Sequence, residues 1–184
     1  MGRPKPLLPV GATTLLEWMI DRLGPHFAET LVAAGAARGR LPERLAAHVV
    51  LDLHLGAGPL AGVEAALSVA RYEVVLAVAC DMPHVTPHLA RALVTACESF
   101  DAAVPRLGHR PEPACAAYAR AAAGPIAAAL ARQRLRAADV LAELNVRYLD
   151  EAELAHVGAG PQTFANLNTP AEYQEFVEGL RRQA

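Results

Sequence analysis

The chain has 184 residues, 53% of them hydrophobic but only 5% aromatic, and its formal net charge is −2. That length suits one domain, with a core drawn mainly from alanine, leucine and valine. So small a charge makes no electrostatic case for nucleic acid or an anionic membrane as partner, and no apolar run reaches the roughly 18 residues of a bilayer span.

The predicted elements alternate along the chain. Residues 13–23 have helical periodicity, with Thr13 or Thr14 as N-cap and Gly24-Pro25 as the stop. Apolar runs at 30–34 and 48–51 are too short for helices and read as strands. Residues 59–71 give the next helical pattern, with Pro59 suited to its first position, and the apolar run 73–80 is the clearest strand. A helix over 87–98 has Thr86 as its cap. Strands are predicted at 101–105 and 112–118, an alanine-rich helix at about 119–133, and late strands at 146–149 and 163–166. A closing helix starts near Pro170, with Thr169 as its cap. Near-continuous apolar strands between amphipathic helices predict one α/β domain: a three-layer, doubly wound, Rossmann-like fold with a mostly parallel sheet covered on both faces.

Cys80, Cys97 and Cys115 are an odd set without a C-x-x-C pair, against both a disulfide framework and a zinc site. Their apolar settings predict buried thiols. With no apolar stretch of a secretory signal near Met1, a cytoplasmic location is expected. His84 and His88 flank a helix start rather than share one helix, so no histidine metal pair is expected.

Ligands of open α/β sheets bind beyond the carboxyl ends of the strands. The residues that follow each apolar run are therefore the site candidates: Asp52, Asp81, and Asn166 with Asn168. Asp81 is the sharpest. A carboxylate straight after a buried strand is partly desolvated and needs a cation or donors; as a hard oxygen ligand beside phosphates it suits Mg2+. Asp-x-Pro also starts turns, but Thr86 already caps the next helix. Gly58, Pro59 and Leu60 lie in a glycine-rich approach to a helix whose first N–H groups can meet an anion, although a Gly-Pro helix start is also an ordinary turn. Gly62 in the first turn of that helix also suits close helix–sheet packing. Asn166 and Asn168 would share one side of an extended segment and can read hydroxyls or base edges, or satisfy turn backbone. Lys5 is the only lysine beside 16 arginines. Trp18 and Tyr118 read as packing residues.

In order, these pieces resemble the molybdenum-cofactor guanylyltransferase family of the nucleotide-diphosphate transferase superfamily. Met1-Gly2-Arg3-Pro4-Lys5-Pro6-Leu7-Leu8 is similar to the end of that family's L-A-G-G-x-S-x-R-M-G-x-D-K-x-L-L signature. Residues 58–62 match its G-P-L-A-G, with Asp52 ahead of them. Cys80-Asp81-Met82-Pro83 matches C-D-M-P, residues 108–113 a G-R-x-E-P-like stretch, and Asn166 to Pro170 the late N-x-N-T-P. The resemblance implies a Mg2+-dependent nucleotidyltransferase that passes GMP from GTP to the phosphate of molybdopterin and releases pyrophosphate. It implies Asp81 and Lys5 as the catalytic pair, Asp81 holding the metal and Lys5 neutralising the triphosphate. Asp52, Gly58, Pro59 and Leu60 would meet the nucleotide, while residues 108–113, Asn166 and Asn168 would face the pterin. Other proteins of cofactor biosynthesis are expected partners.

Pro4 departs from the guanylyltransferase pattern towards that of the related cytidylyltransferases, and Ala33-Ala34-Gly35 lacks an asparagine often found there. A CTP-using relative is thus the first alternative. The L-A-G-G-x-S-x-R stretch has no counterpart, so the domain over 1–184 is expected to lack its first strand and phosphate loop. That keeps a non-catalytic nucleotide- or pterin-binding module as the second alternative.

Overall fold

Alternation of inward-facing residues along two strands organises the whole molecule, a computed structural model that describes residues 4–34, 41, 48–51, 58–134 and 136–183. Strands β5 (Val74–Val78), β6 (Ala102–Leu107), β8 (Cys115–Ala119) and β9 (Val146–Leu149) form the main sheet in the order β5-β8-β6-β9, and short β7 (Arg110–Pro111) folds back on β6. Along β6 and β8, Ala102, Val104, Ala116 and Tyr118 enter one apolar core, while Ala103, Cys115 and Ala117 enter another. Successive strand residues point to opposite faces, so a strand buried on both sides needs apolar residues at every position. This is why the runs read as continuous.

One core is closed by α1 (Leu15–Leu23) and α3 (Pro87–Ala96), the other by α2 (Pro59–Val69), α4 (Ala123–Ala131) and α5 (Ala137–Leu141). The result is the expected three-layer α/β fold. β5, β6 and β9 run the same way; β8 is the reversed strand between β5 and β6. β3 (Leu31–Ala33) and β4 (His48–Val50) make a separate parallel pair. Among the described residues no strand pairs the outer edge of β5 or the second edge of β3. Between them lies a largely apolar cleft of about 910 Å3, walled by α1 and α2.

Several local expectations shift for identifiable reasons. Thr13–Thr14 form β2, hairpinned to β1 (Pro9–Val10), and Thr14 then caps α1 in a reciprocal capping box with Glu17. Residues 112–114 turn instead of extending the strand, with Pro111 and Pro113 unable to donate N–H groups to a ladder. The alanine-rich helix begins only at Ala123, after one tight turn over Arg120–Ala122. Residues 163–166 are not a strand: Pro161–Phe164 form a 3-10 turn, with the Gly160 N–H donating to the Thr163 hydroxyl at 3.1 Å. After α6 (Glu151–His156), that turn leads into the closing helix α7 (Pro170–Gln183). Gly62 does allow close packing: a Cβ built there would lie 3.1 Å from Cβ of Ala33 on β3. No described helix is long and apolar enough to cross a membrane.

Candidate active site

A third, small core brings distant segments together. Leu8, Val10 and Leu15 pack against Leu167 and Phe176, and the Tyr173 hydroxyl donates to the Pro9 carbonyl. Trp18, correctly read as a packing residue, stands edge-on to Phe176 at 5.2 Å with Arg22 over its ring. This staple fixes the tight turn Lys5–Leu7 beside the loop that follows β5.

That loop is set by its own backbone. Met82 N–H donates to the Ala79 carbonyl at 3.1 Å, and the Met82 side chain is buried, so Asp81 is held at the mouth of the strand. Leu167 N–H donates to the Asp81 carbonyl at 2.9 Å. Lys5 Nζ donates to Asp81 Oδ2 at 2.7 Å and to Asn168 Oδ1 at 2.6 Å. The side chains of Lys5 and Asp81 are 32% and 18% exposed, so the pair is shielded on most sides but open to an incoming ligand.

Three of the expected site residues, Lys5, Asp81 and Asn168, therefore meet at one point. Asn166 does not join them: its carbonyl accepts the Asn168 N–H at 3.1 Å, so the two carboxamides sit on a turn, not on an extended strand. Gly58 (φ +77°) and Pro59 start α2 without any side-chain cap, and both border the cleft, as do Pro6, Cys80 and Asp81. Leu60 is buried in the core, so only its backbone is offered to a ligand. Asp52 lies outside the described residues. The stretch 108–113 flanks the same strand end: Ala79 N–H donates to the Ala114 carbonyl at 2.8 Å, and the buried Tyr118 hydroxyl donates to the Pro113 carbonyl at 2.8 Å. Burial pushes the half-buried Glu112 carboxyl up, against the lowering influence of Arg110.

The cysteine thiols are held in their neutral form by burial. Burial, then the charge of Asp81, pushes the Cys80 thiol up to about 11, and burial pushes Cys115 up to about 12. Glu172 is the residue that sequence reasoning missed. One of its oxygens accepts the N–H of Asn168 (2.8 Å) and of Thr169 (2.7 Å), while its own N–H donates to the Thr169 hydroxyl (3.2 Å). The Thr169 contacts, then the Asn168 N–H, hold the Glu172 carboxyl below its ordinary range. Its sequence signal was there: Thr169 and Glu172 have capping-box spacing.

No group of three or more His, Cys, Asp and Glu converges among the described residues, so no protein-only metal cage is present there. What does converge is two hard oxygens, from Asp81 and Asn168, on one cationic group. Of these, the Asp81 carboxylate is the hard ligand that fits a divalent cation such as Mg2+, which usually completes its shell with water and substrate phosphates.

The fold and this site define an α/β nucleotidyltransferase domain, with its polar centre beyond a strand end. Residues 1–148 match the MobA-like NTP transferase domain, and the chain belongs to that family. It is 36% identical over 172 residues, 94% of its length and 83% of the relative's, to a protein of Pelotomaculum thermopropionicum named "Probable molybdenum cofactor guanylyltransferase". A second protein of that name, from Carboxydothermus hydrogenoformans, is 29% identical over 97% of this chain and 89% of its own. Among solved structures, molybdopterin-guanine dinucleotide biosynthesis protein A of Archaeoglobus fulgidus superposes with a TM-score of 0.84 at 28% identity, covering 100% of this chain and 93% of that one. The 2-C-methyl-D-erythritol 4-phosphate cytidylyltransferase of Thermus thermophilus gives 0.71 at 25% identity, over 97% and 94%.

Proposed function

We propose that this protein transfers GMP from GTP to the terminal phosphate of molybdopterin, with release of pyrophosphate. The observation that carries the reading is the meeting of Lys5, Asp81 and Asn168 at the mouth of β5, in a chain similar over nearly its whole length to guanylyltransferases.

An oxygen of the molybdopterin phosphate attacks the α-phosphorus of GTP in line. The new P–O bond forms as the bond to the β,γ-diphosphate breaks, and pyrophosphate leaves with the electron pair. Little covalent chemistry falls to the protein, whose contribution is position and charge. Lys5 Nζ, held by two oxygens at the site, presents its positive charge to the triphosphate. Asp81 would hold Mg2+, which supplies charge neutralisation at the phosphates, while Asn168 stays on the Lys5 ammonium. Gly58 and Pro59 offer an uncapped helix start on the same cleft, where backbone N–H groups favour an anion. The turn at 112–114 and the Asn166–Asn168 turn flank the opening where the pterin would sit.

The test is turnover of molybdopterin by the purified protein with Mg2+ and either GTP or CTP, read as pyrophosphate release and as the dinucleotide product. GTP should be strongly preferred. Preference for CTP would replace the guanylyl reading by the cytidylyl one, and GTP binding with no pyrophosphate from either nucleotide would leave a binding module.

A further inference from the structure

The Lys5 ammonium is held by more than its counter-ion. Asn168 Oδ1 lies 2.6 Å from Nζ, closer than the 2.7 Å of Asp81 Oδ2. A carboxamide can hold a cation only from a fixed backbone, and residues 166–169 form no regular element that would fix theirs. What fixes it is Glu172: a single carboxylate oxygen accepts both the Asn168 and the Thr169 N–H. The reciprocal bond from Glu172 N–H to the Thr169 hydroxyl ties this carboxylate to the start of α7, and Leu167 N–H joins the same segment to the Asp81 carbonyl.

We propose that Glu172 is a positioning residue for Lys5, acting through Asn168. The role rests on the nucleotidyl-transfer reading and extends it. When a nucleotide and its divalent cation engage the Asp81 carboxylate, Lys5 loses one of its two partners. A lysine anchored only by Asp81 would then regain the rotamer freedom of its four-carbon stem. With Asn168 locked by Glu172, the ammonium keeps its second anchor and its remaining protons stay directed at the phosphates. Glu172 touches neither substrate nor metal; it holds the group that holds the charge.

Because Lys5 is the only lysine, selective 15N labelling of lysine side chains gives a single ammonium resonance, which reads its restraint without any turnover. In the wild type that ammonium should exchange slowly with water. Glu172→Ala should speed its exchange at least about fivefold and lower kcat about tenfold, the usual scale for an outer residue that orients a ligand-holding group, with KM for GTP changed less than about threefold. Glu172→Gln keeps an acceptor oxygen and should restore most of both readouts. Thr169→Ala removes the helix-capping hydroxyl but leaves the Asn168 N–H on Glu172, so it should cost melting temperature without moving the lysine signal.

An unchanged lysine signal in Glu172→Ala, or equal effects of Glu172→Ala and Thr169→Ala on it, would overturn the positioning role. So would a loosened lysine with full kcat. Should Glu172→Ala fail to fold, Asn168→Ala takes its place in the same measurement, and an undisturbed ammonium there overturns the proposal equally. Loss of the transfer activity in the wild type itself would instead defeat the functional reading and leave the lysine result standing.

Discussion

Replacing Asp81 by asparagine separates a charge from a shape. The carboxamide is nearly isosteric and still offers one acceptor to Lys5, so the loop set by Ala79, Met82 and Leu167 has no reason to move. Lys5 also retains Asn168 at 2.6 Å. The lost ion pair is about a third exposed on the lysine side, and solvent-screened pairs are worth up to about 1 kcal/mol. The melting temperature should therefore fall by no more than about 2–4 °C, the response of a domain this size to that loss. Turnover should behave differently. Removing one preorganised stabiliser of transition-state charge costs about 10²–10³-fold in kcat, or about 2.7–4 kcal/mol. The assay pairs pyrophosphate release at saturating GTP with thermal melting of the same sample. Near-normal kcat would show Asp81 to be a turn residue, and a fall in activity no larger than the fraction unfolded would refute the division of labour argued here.

Three further outcomes follow from the packing. Tyr118→Phe removes the buried hydroxyl that donates to the half-buried Pro113 carbonyl, so it should cost about 1 kcal/mol in denaturant titration; no loss would mean that the turn holds itself. Gly62→Ala gains helix propensity against a 3.1 Å contact with Ala33 and should be near neutral, whereas the branched Gly62→Val should lose about 1–3 kcal/mol, and equal stability of the two would contradict the close approach. His84, edge-on to Phe176, has its imidazole pKa lowered by burial first and Arg22 second, against Glu175. Since the unfolded chain takes the proton more readily, its contribution is complete above the unfolded value of about 6.5 and fades as pH falls through that value. The urea midpoint of the wild type should thus fall relative to that of His84→Phe between pH 7.5 and pH 5.5; parallel curves would exclude that coupling.

Much of this molecule was legible in its sequence because burial on two faces leaves a plain mark: runs such as 73–80 have no polar residue between Glu73 and the aspartate that follows. The carboxylate after that run was legible for the same reason, since water or a cation must meet it. The turn at 163–166 was not, because Thr-Phe-Ala has strand-like composition while the neighbouring Pro161 and the Thr163 hydroxyl decide the backbone. Nor did spacing show that Asn168 reaches Lys5 while Asn166 does not. That distinction depends on a bend between them and on Glu172, which in the sequence is one more acidic residue in the first turn of a helix. Lys5 was named by the family resemblance, and the small core under Leu8 and Phe176 is what carries it across the molecule to Asp81.

That small core has a consequence for how the molecule is made. Lys5 and Asn168 are 163 positions apart, and Lys5 and Asp81 are 76 apart, so the centre closes through some of the longest loops in the chain. Such contacts form late in folding, after the local helices and hairpins that repay their ordering sooner. During synthesis, at about 5–20 residues per second, the emerging chain lacks an anchored lysine until the segment through Glu172 has left the ribosome. Substitutions under the staple, at Leu8, Leu15 or Phe176, should accordingly speed unfolding far more than they slow folding. The lifetime of the armed site is governed there, at a distance from its chemistry.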